Sequence, residues 1–284
     1  MSMQATPEGL PDEVPGTDLR EAWRTGRVFG PPIRRTFRDV IAGRLSDPLP
    51  PQAAMLFEPL ADPHWDSDRC FLGDFYNEIL HQDTCHPYTA EGVALLAALS
   101  IDDRVPPQLR FQTVVLLFEI ATVTDRHLAQ CWPDVPPHAD PESAGRARDA
   151  VRSCIPDLLA RWAMECPAVR LALAGLAVVF PTVRTLPALT SRLQGFAEQY
   201  PQGTDIGDYV RFALVLAAGD DQHTLTAVET LTDAYWTGTA RRAPTRARAF
   251  HLLGQMLTTV GGNLRRPAAG HDATTVLGNR RLSR

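Results

Sequence analysis

The chain has 284 residues, a formal net charge of −5 and 44% hydrophobic residues. That is enough apolar material for a continuous core, in two ordinary domains or in one elongated repeat domain. Aromatics make up only 7%, and the abundance of Ala and Leu favours close-packed helices over strands. No apolar run reaches about 18 residues, and no basic stretch precedes an apolar one at the start, so neither a membrane span nor signal-directed export is expected.

The charge is unevenly placed. All 28 basic residues are arginine, so a single arginine carries little functional weight by itself. Nine of them follow Thr237 with one acid, Asp272, which leaves −13 on the first 236 residues. An acidic body with a basic tail implies self-docking or an acidic partner. The five cysteines (70, 85, 131, 154 and 166) are scattered and form no CxxC pair. Zinc-ribbon and thioredoxin-like readings therefore fail, and reduced thiols in a cytoplasmic protein are expected.

In chain order, residues 1–17 are rich in Pro, Gly and Glu and read as disordered. Residues 18–50 read as an N-terminal helical cap. Its first helix, 19–25, is capped by Asp18 and ended by Gly26; its second opens at Pro31-Pro32 and carries the stripe Ile33, Phe37, Val40 and Ile41. Residues 51–262 then read as helix pairs: 53–60 with 67–81, 89–100 with 107–124, 143–164 with 167–180, 184–199 with 206–218, and 223–236 with 245–260. Thr89 is the expected N-cap of its helix, and Pro156 is expected to kink or break the helix that contains it. An inserted loop is expected at 126–141, and 263–284 reads as a basic disordered tail. No stretch alternates as a strand would.

The second helix of each pair opens on an arginine ahead of small or aliphatic residues. These are Arg69, Arg110, Arg170, Arg211 and Arg248, spaced by 41, 60, 41 and 37 residues. A period near 40 in a helical chain indicates stacked helix pairs, with about 19 residues inserted in the long interval. The expected fold is all-α: a right-handed α-solenoid of about five helix pairs with the N-terminal cap.

Pro167-Ala168-Val169-Arg170, and nearly as well Asp208-Tyr209-Val210-Arg211, resemble the start of the second helix in HEAT-repeat proteins. The stretch from His81 to Ala90 (HQDTCHPYTA), followed by Gly92 to Leu96, is similar to a segment of uncharacterised actinobacterial HEAT-repeat proteins. Together the resemblances cover roughly residues 50–260 on the period argument. They imply that Arg69, Arg110, Arg170 and Arg211 bridge neighbouring repeats through turn carboxylates, for which Asp62, Asp102, Glu165 and Asp205 are the candidates. Arg248 has no acid in the preceding turn, so the ladder is expected to stop there.

Fold of this kind does not fix function. His81, Asp83 and His86 crowd one turn and could form a metal or acid–base site, but a spacing of five within a loop is no recognised ligand pattern. The reading preferred is an ordinary turn in which His81 closes a helix C-terminus. His127, Cys131 and His138 likewise match no zinc spacing, and the preferred reading is a surface loop stiffened by prolines, with Trp132 tucked into the groove. The nucleophile elbow, Walker A, dinucleotide fingerprint and HExxH patterns are absent from the sequence.

No catalytic residue, metal or cofactor is therefore assigned. The expected function is non-catalytic binding of another protein, as an adaptor, scaffold or immunity-type inhibitor. A possible binding surface is drawn from His81, Asp83, His86, His127, Trp132, Trp162 and Trp236. The alternative is a HEAT-like-repeat enzyme, such as an alkylated-base DNA glycosylase or a lyase attaching bilins. A glycosylase could stack a base on Trp162, Tyr235 or Trp236, but an acidic body opposes phosphate, so nucleic acid is disfavoured.

Overall fold

The computed structural model describes residues 79–81, 83–103, 105, 107–181, 186–231 and 242–265. The expected N-terminal cap, the first helix pair up to Ile79, Arg69, Asp62, Trp236 and the tail from 266 onward lie outside the described residues. So does the Thr237–Arg241 stretch.

The described chain opens on a two-residue hairpin, an addition to the purely helical expectation. β1 (Leu80–His81) pairs antiparallel with β2 (Thr84–Cys85), placing Leu80 opposite Cys85. Asp83 sits at its tip with a left-handed φ of 61°, a conformation that Asp tolerates better than most residues. α1 (Thr89–Ile101) follows. Thr89 was expected to cap this helix, yet the N-cap position is Tyr88. The Thr89 hydroxyl instead donates to the Ile79 carbonyl (2.7 Å) and accepts from the His86 amide (2.7 Å), pinning the helix start to the hairpin.

α2 (Pro107–Ala121) and α3 (Val123–Cys131) are nearly continuous. The Thr122 amide is shared between the Phe118 and Glu119 carbonyls, and its hydroxyl bonds back to Phe118 (2.8 Å). Such back-bonding disturbs a helix, and the helical run is interrupted at Thr122 (φ −113°, ψ 9°) only for that one residue. The expected 126–141 loop is thus corrected: its first residues, through Cys131, are helical. Val123, Asp125, His127 and Ala129 of α3 are all buried.

α4 (Pro141–Ala160) starts where Asp140 accepts from the Ser143 amide (3.0 Å). Pro156, whose ring is exposed, does not end it: the helix runs on to Ala160 although an interior proline removes one of its hydrogen bonds. A short 3₁₀ turn (Trp162–Met164) leads to α5 (Pro167–Val179). α5 is buried almost throughout, which small Ala and Gly positions permit on every side.

α6 (Leu186–Gln199) and α7 (Asp205–Ala218) form the next pair. The Thr204 hydroxyl caps α7 by accepting from the Gly207 amide (3.1 Å), and Gly219 ends it in the left-handed conformation (φ 70°). α8 (Asp221–Leu231) and α9 (Thr245–Arg265) complete the described fold. α9 passes over Gly261-Gly262, where a stop was expected.

α1 packs on α2 and α4, α2 on α5, α5 on α7, and α6 on α7. α9 does more. Besides α8 and α7 it lies against α5, α3 and α2. Two glycines allow this approach: a Cβ at Gly254 would stand 3.1 Å from the Phe118 ring, and one at Gly261 2.9 Å from the Phe111 ring. The chain is all-α in its described part apart from the hairpin. No described helix is long and apolar enough to cross a membrane.

Candidate functional site

The close approach of α9 to α2 leaves a cleft of about 370 Å³ along their junction with α3. Val115 and Phe118 of α2 form its apolar side, and Glu119 its polar edge. α3 contributes Arg126 and Gln130. α9 contributes His251, Gln255, Thr258 and Thr259, which recur at helical spacing on one face.

Arg126 is held from two directions. Its Nη1 pairs with Asp83 Oδ1 (2.9 Å) and its Nη2 donates to the Glu119 carbonyl (3.1 Å). The Nε is sealed from solvent. The strained hairpin tip therefore has an electrostatic use, since it delivers Asp83 to a guanidinium 43 residues away.

The Glu119 carboxyl makes no hydrogen bond or ion pair among the described residues. Burial pushes its pKa up, against the pull of Arg126. Burial also lowers His251, and Arg126 adds to that effect, so the imidazole is neutral at pH 7. Its Nε2 lies 3.1 Å from Gln255 Nε2. The Thr258 and Thr259 hydroxyls donate to the Gly254 and Gln255 carbonyls of their own helix, each at 3.0 Å. Their oxygens keep lone pairs for a visitor.

The residues singled out in the sequence are dispersed. Asp83 enters the cleft's charge network, whereas His86 stacks on Tyr88 with ring centroids 5.3 Å apart. His81 pairs through its backbone with Thr84. His127 is 7% exposed and faces the edge of His138 at 6.0 Å. Burial, then Arg126, lowers its pKa. Trp132 is partly buried at the end of α3. Trp162 is packed rather than open to a visitor: it is 7% exposed, in a T-shaped contact with Phe196 at 6.0 Å, with the Arg192 guanidinium 5.3 Å from its ring centroid. No group of three metal-ligating side chains occurs among the described residues.

The repeat arginines serve the turns. Arg110 reaches forward to Glu165, in the turn before α5, rather than to Asp102 before its own helix. Asp102 ends α1, and its carbonyl accepts from the Val105 amide (3.0 Å). Arg170 donates to the carbonyls of Trp162 (2.8 Å) and Ala163 (2.9 Å). Arg211 donates to those of Tyr200 (2.9 Å), Gly207 (2.9 Å) and Ala197 (3.0 Å). Asp205 opens α7, where a carboxylate suits the helix dipole. Arg248 is buried in α9.

Sequence reasoning missed Glu119, Arg126, His251 and Gln255. Arg126 was one arginine among 28, and Glu119 a single acid inside an apolar helix. That odd acid was the one available signal. No family model matches the chain, and neither a curated protein nor a solved structure matches it.

Proposed function

We propose that the chain is a non-catalytic binding protein, a HEAT-like α-solenoid whose last described helix closes over the row of second helices, and that its partner is another protein. The observation that carries this reading is the cleft between α2, α3 and α9. It is an open recess of about 370 Å³, at the small end of ligand pockets (about 300–1,000 Å³). Its floor is apolar, and its rim carries the carboxyl, amide and hydroxyl groups of Glu119, Gln130, Gln255 and Thr258. A recess of that size accepts one or two side chains of a segment lying along α9, as peptide-binding helical repeats do through pockets set in an extended surface.

The test is affinity capture from the native host with the full chain and with Thr258→Arg, whose side chain fills the recess. A protein retained by the wild type and lost by the variant supports the reading. Equal retention by both, or no specific protein with either, overturns it.

A further inference from the structure

The rim of the cleft is rich in acceptors whose donors are already spent. Thr258 and Thr259 give their hydroxyl protons to α9 carbonyls. Gln255 meets His251 through its amide nitrogen and keeps its oxygen. Across from them Glu119 lines the same recess with a carboxyl that has no partner among the described residues. Arg126, which also lines the cleft, is already matched by Asp83 at 2.9 Å. Glu119 thus offers the rim a carboxyl without an ion-pair partner among the described residues.

Acceptors on two walls, a carboxyl without an ion-pair partner among the described residues and the apolar side formed by Val115 and Phe118 define the complement: a donor-rich cation on an aliphatic stem. We propose that the cleft is a receptor for a basic side chain of the partner, the ammonium of lysine or the guanidinium of arginine, seated against Glu119, Gln255 and Thr258. This rests on the protein-binding reading above and names the chemistry of the inserted group. Val115 and Phe118 cover the stem of such a side chain, and the charged end meets the oxygens. The Glu119 carboxyl is partly buried, which disfavours its charged form, and an arriving cation offsets that desolvation. An acidic side chain would instead meet Glu119 as a like charge.

The test is an NMR titration of the full-length ¹⁵N-labelled chain with N-acetylated, C-amidated tripeptides Ala-X-Ala, where X is Arg, Lys, citrulline or Glu. The Arg and Lys peptides shift amide signals of α2 and α9 around the cleft, whereas the citrulline and Glu peptides leave them unmoved. Glu119→Gln weakens Arg-peptide binding by about tenfold, the scale of one charge-assisted contact. Thr258→Val, on the opposite wall, weakens it by a smaller factor with the fold intact by circular dichroism. Citrulline binding as well as arginine, preference for the Glu peptide, or undiminished affinity in Glu119→Gln each overturns the proposal. Replacing Arg280, Arg281 and Arg284 by serine in the full chain leaves the affinity unchanged. A gain would make the chain's own tail the occupant and overturn the assignment to a partner. Failure of the peptides while Thr258→Arg still abolishes capture sinks this inference alone. Peptide binding without any captured protein sinks the partner reading and leaves the cation site standing.

Discussion

Arg110 and Glu165, 55 residues apart, meet where almost no water reaches: the arginine side chain is 8% exposed and the glutamate 0%. Both Nε (3.1 Å) and Nη2 (2.9 Å) of Arg110 donate to Glu165 Oε2, while Nη1 donates to the Val105 carbonyl. Glu165 Oε1 faces Arg161 at 3.4 Å, and Arg161 also pairs with Asp103. One carboxylate thus ties the start of α2, the end of α4 and the turn before α5. Removing one partner of a buried pair strands the other, which typically costs about 3–5 kcal/mol. Arg110→Ala and Glu165→Ala should each lower the urea midpoint sharply. The exposed pair Arg152–Asp149 is worth about 0–1 kcal/mol, so Arg152→Ala should leave the midpoint nearly unchanged. Similar midpoints for Arg110→Ala and Arg152→Ala would contradict the assignment.

Gly175 of α5 abuts the hydroxyl of Tyr209 in α7, where any Cβ would collide. Tyr209 is wholly buried, and its hydroxyl donates to the Leu171 carbonyl (2.8 Å). Gly175→Ala should therefore destabilise despite its better helix propensity, by about 1–3 kcal/mol as overpacking does. Tyr209→Phe should cost about 0.5–1.5 kcal/mol by removing that one buried hydrogen bond, since the Leu171 carbonyl lies within helix α5. The double variant should cost less than the sum, because the ring without its oxygen clears the new methyl. Strict additivity in chemical denaturation would refute the coupling.

Acid should weaken the fold through His127 and His251. Burial, with Arg126 nearby, holds both imidazoles below their usual range. The charged groups around them are Asp83 and Arg126, with His138 beside His127. As pH falls through about 6.5 the unfolded chain takes up protons that the folded chain refuses, so stability declines. The thermal midpoint should drop between about pH 7 and pH 5, and His127→Gln with His251→Gln should flatten that drop.

Glu119 acts with the opposite sign. Its folded carboxyl keeps a proton to higher pH, so its burial costs stability only above the unfolded value of about 4.3. Glu119→Gln should raise the thermal midpoint at pH 7 and lose that advantage in acid, a stability gain at the expense of binding. A midpoint unchanged at both pH values would count against a desolvated Glu119 carboxyl.

Nucleic acid should not bind the acidic body. Anisotropy titrations of the full chain with labelled oligonucleotides, one carrying an alkylated base, should give negligible affinity at about 150 mM salt, where the Debye length is roughly 8 Å. Any weak binding at low salt should vanish when Arg280, Arg281 and Arg284 become serine. Micromolar binding that survives those substitutions would favour the glycosylase-like alternative.

Local chemistry made the helices legible. Pro107, Pro141 and Pro167 stand in the first turns of their helices, Gly219 closes α7, and apolar spacing locates α5 and α7 within a residue or two. These signals lie within one or two turns of the residues they govern, so the sequence by itself determined the all-α class and the order of its elements. The hairpin escaped it because two residues per strand are too few to alternate. α3 escaped because histidine, cysteine and proline nearby suggested a loop, while the helical run in fact breaks at Thr122 and resumes.

Only the tertiary structure decided the site. Glu119, Arg126 and His251 belong to three helices, and Asp83 to a hairpin tip, so no spacing along the chain relates them. They meet because Gly254 and Gly261 let α9 settle against Phe118 and Phe111 of α2. The partner of Arg110 followed the same logic. The nearest acid in sequence, Asp102, yields to Glu165, which packing of α2 against α5 carries across 55 residues. Propensity and capping act over a turn of helix, whereas a buried charge takes whichever partner the packed core brings within about 3 Å.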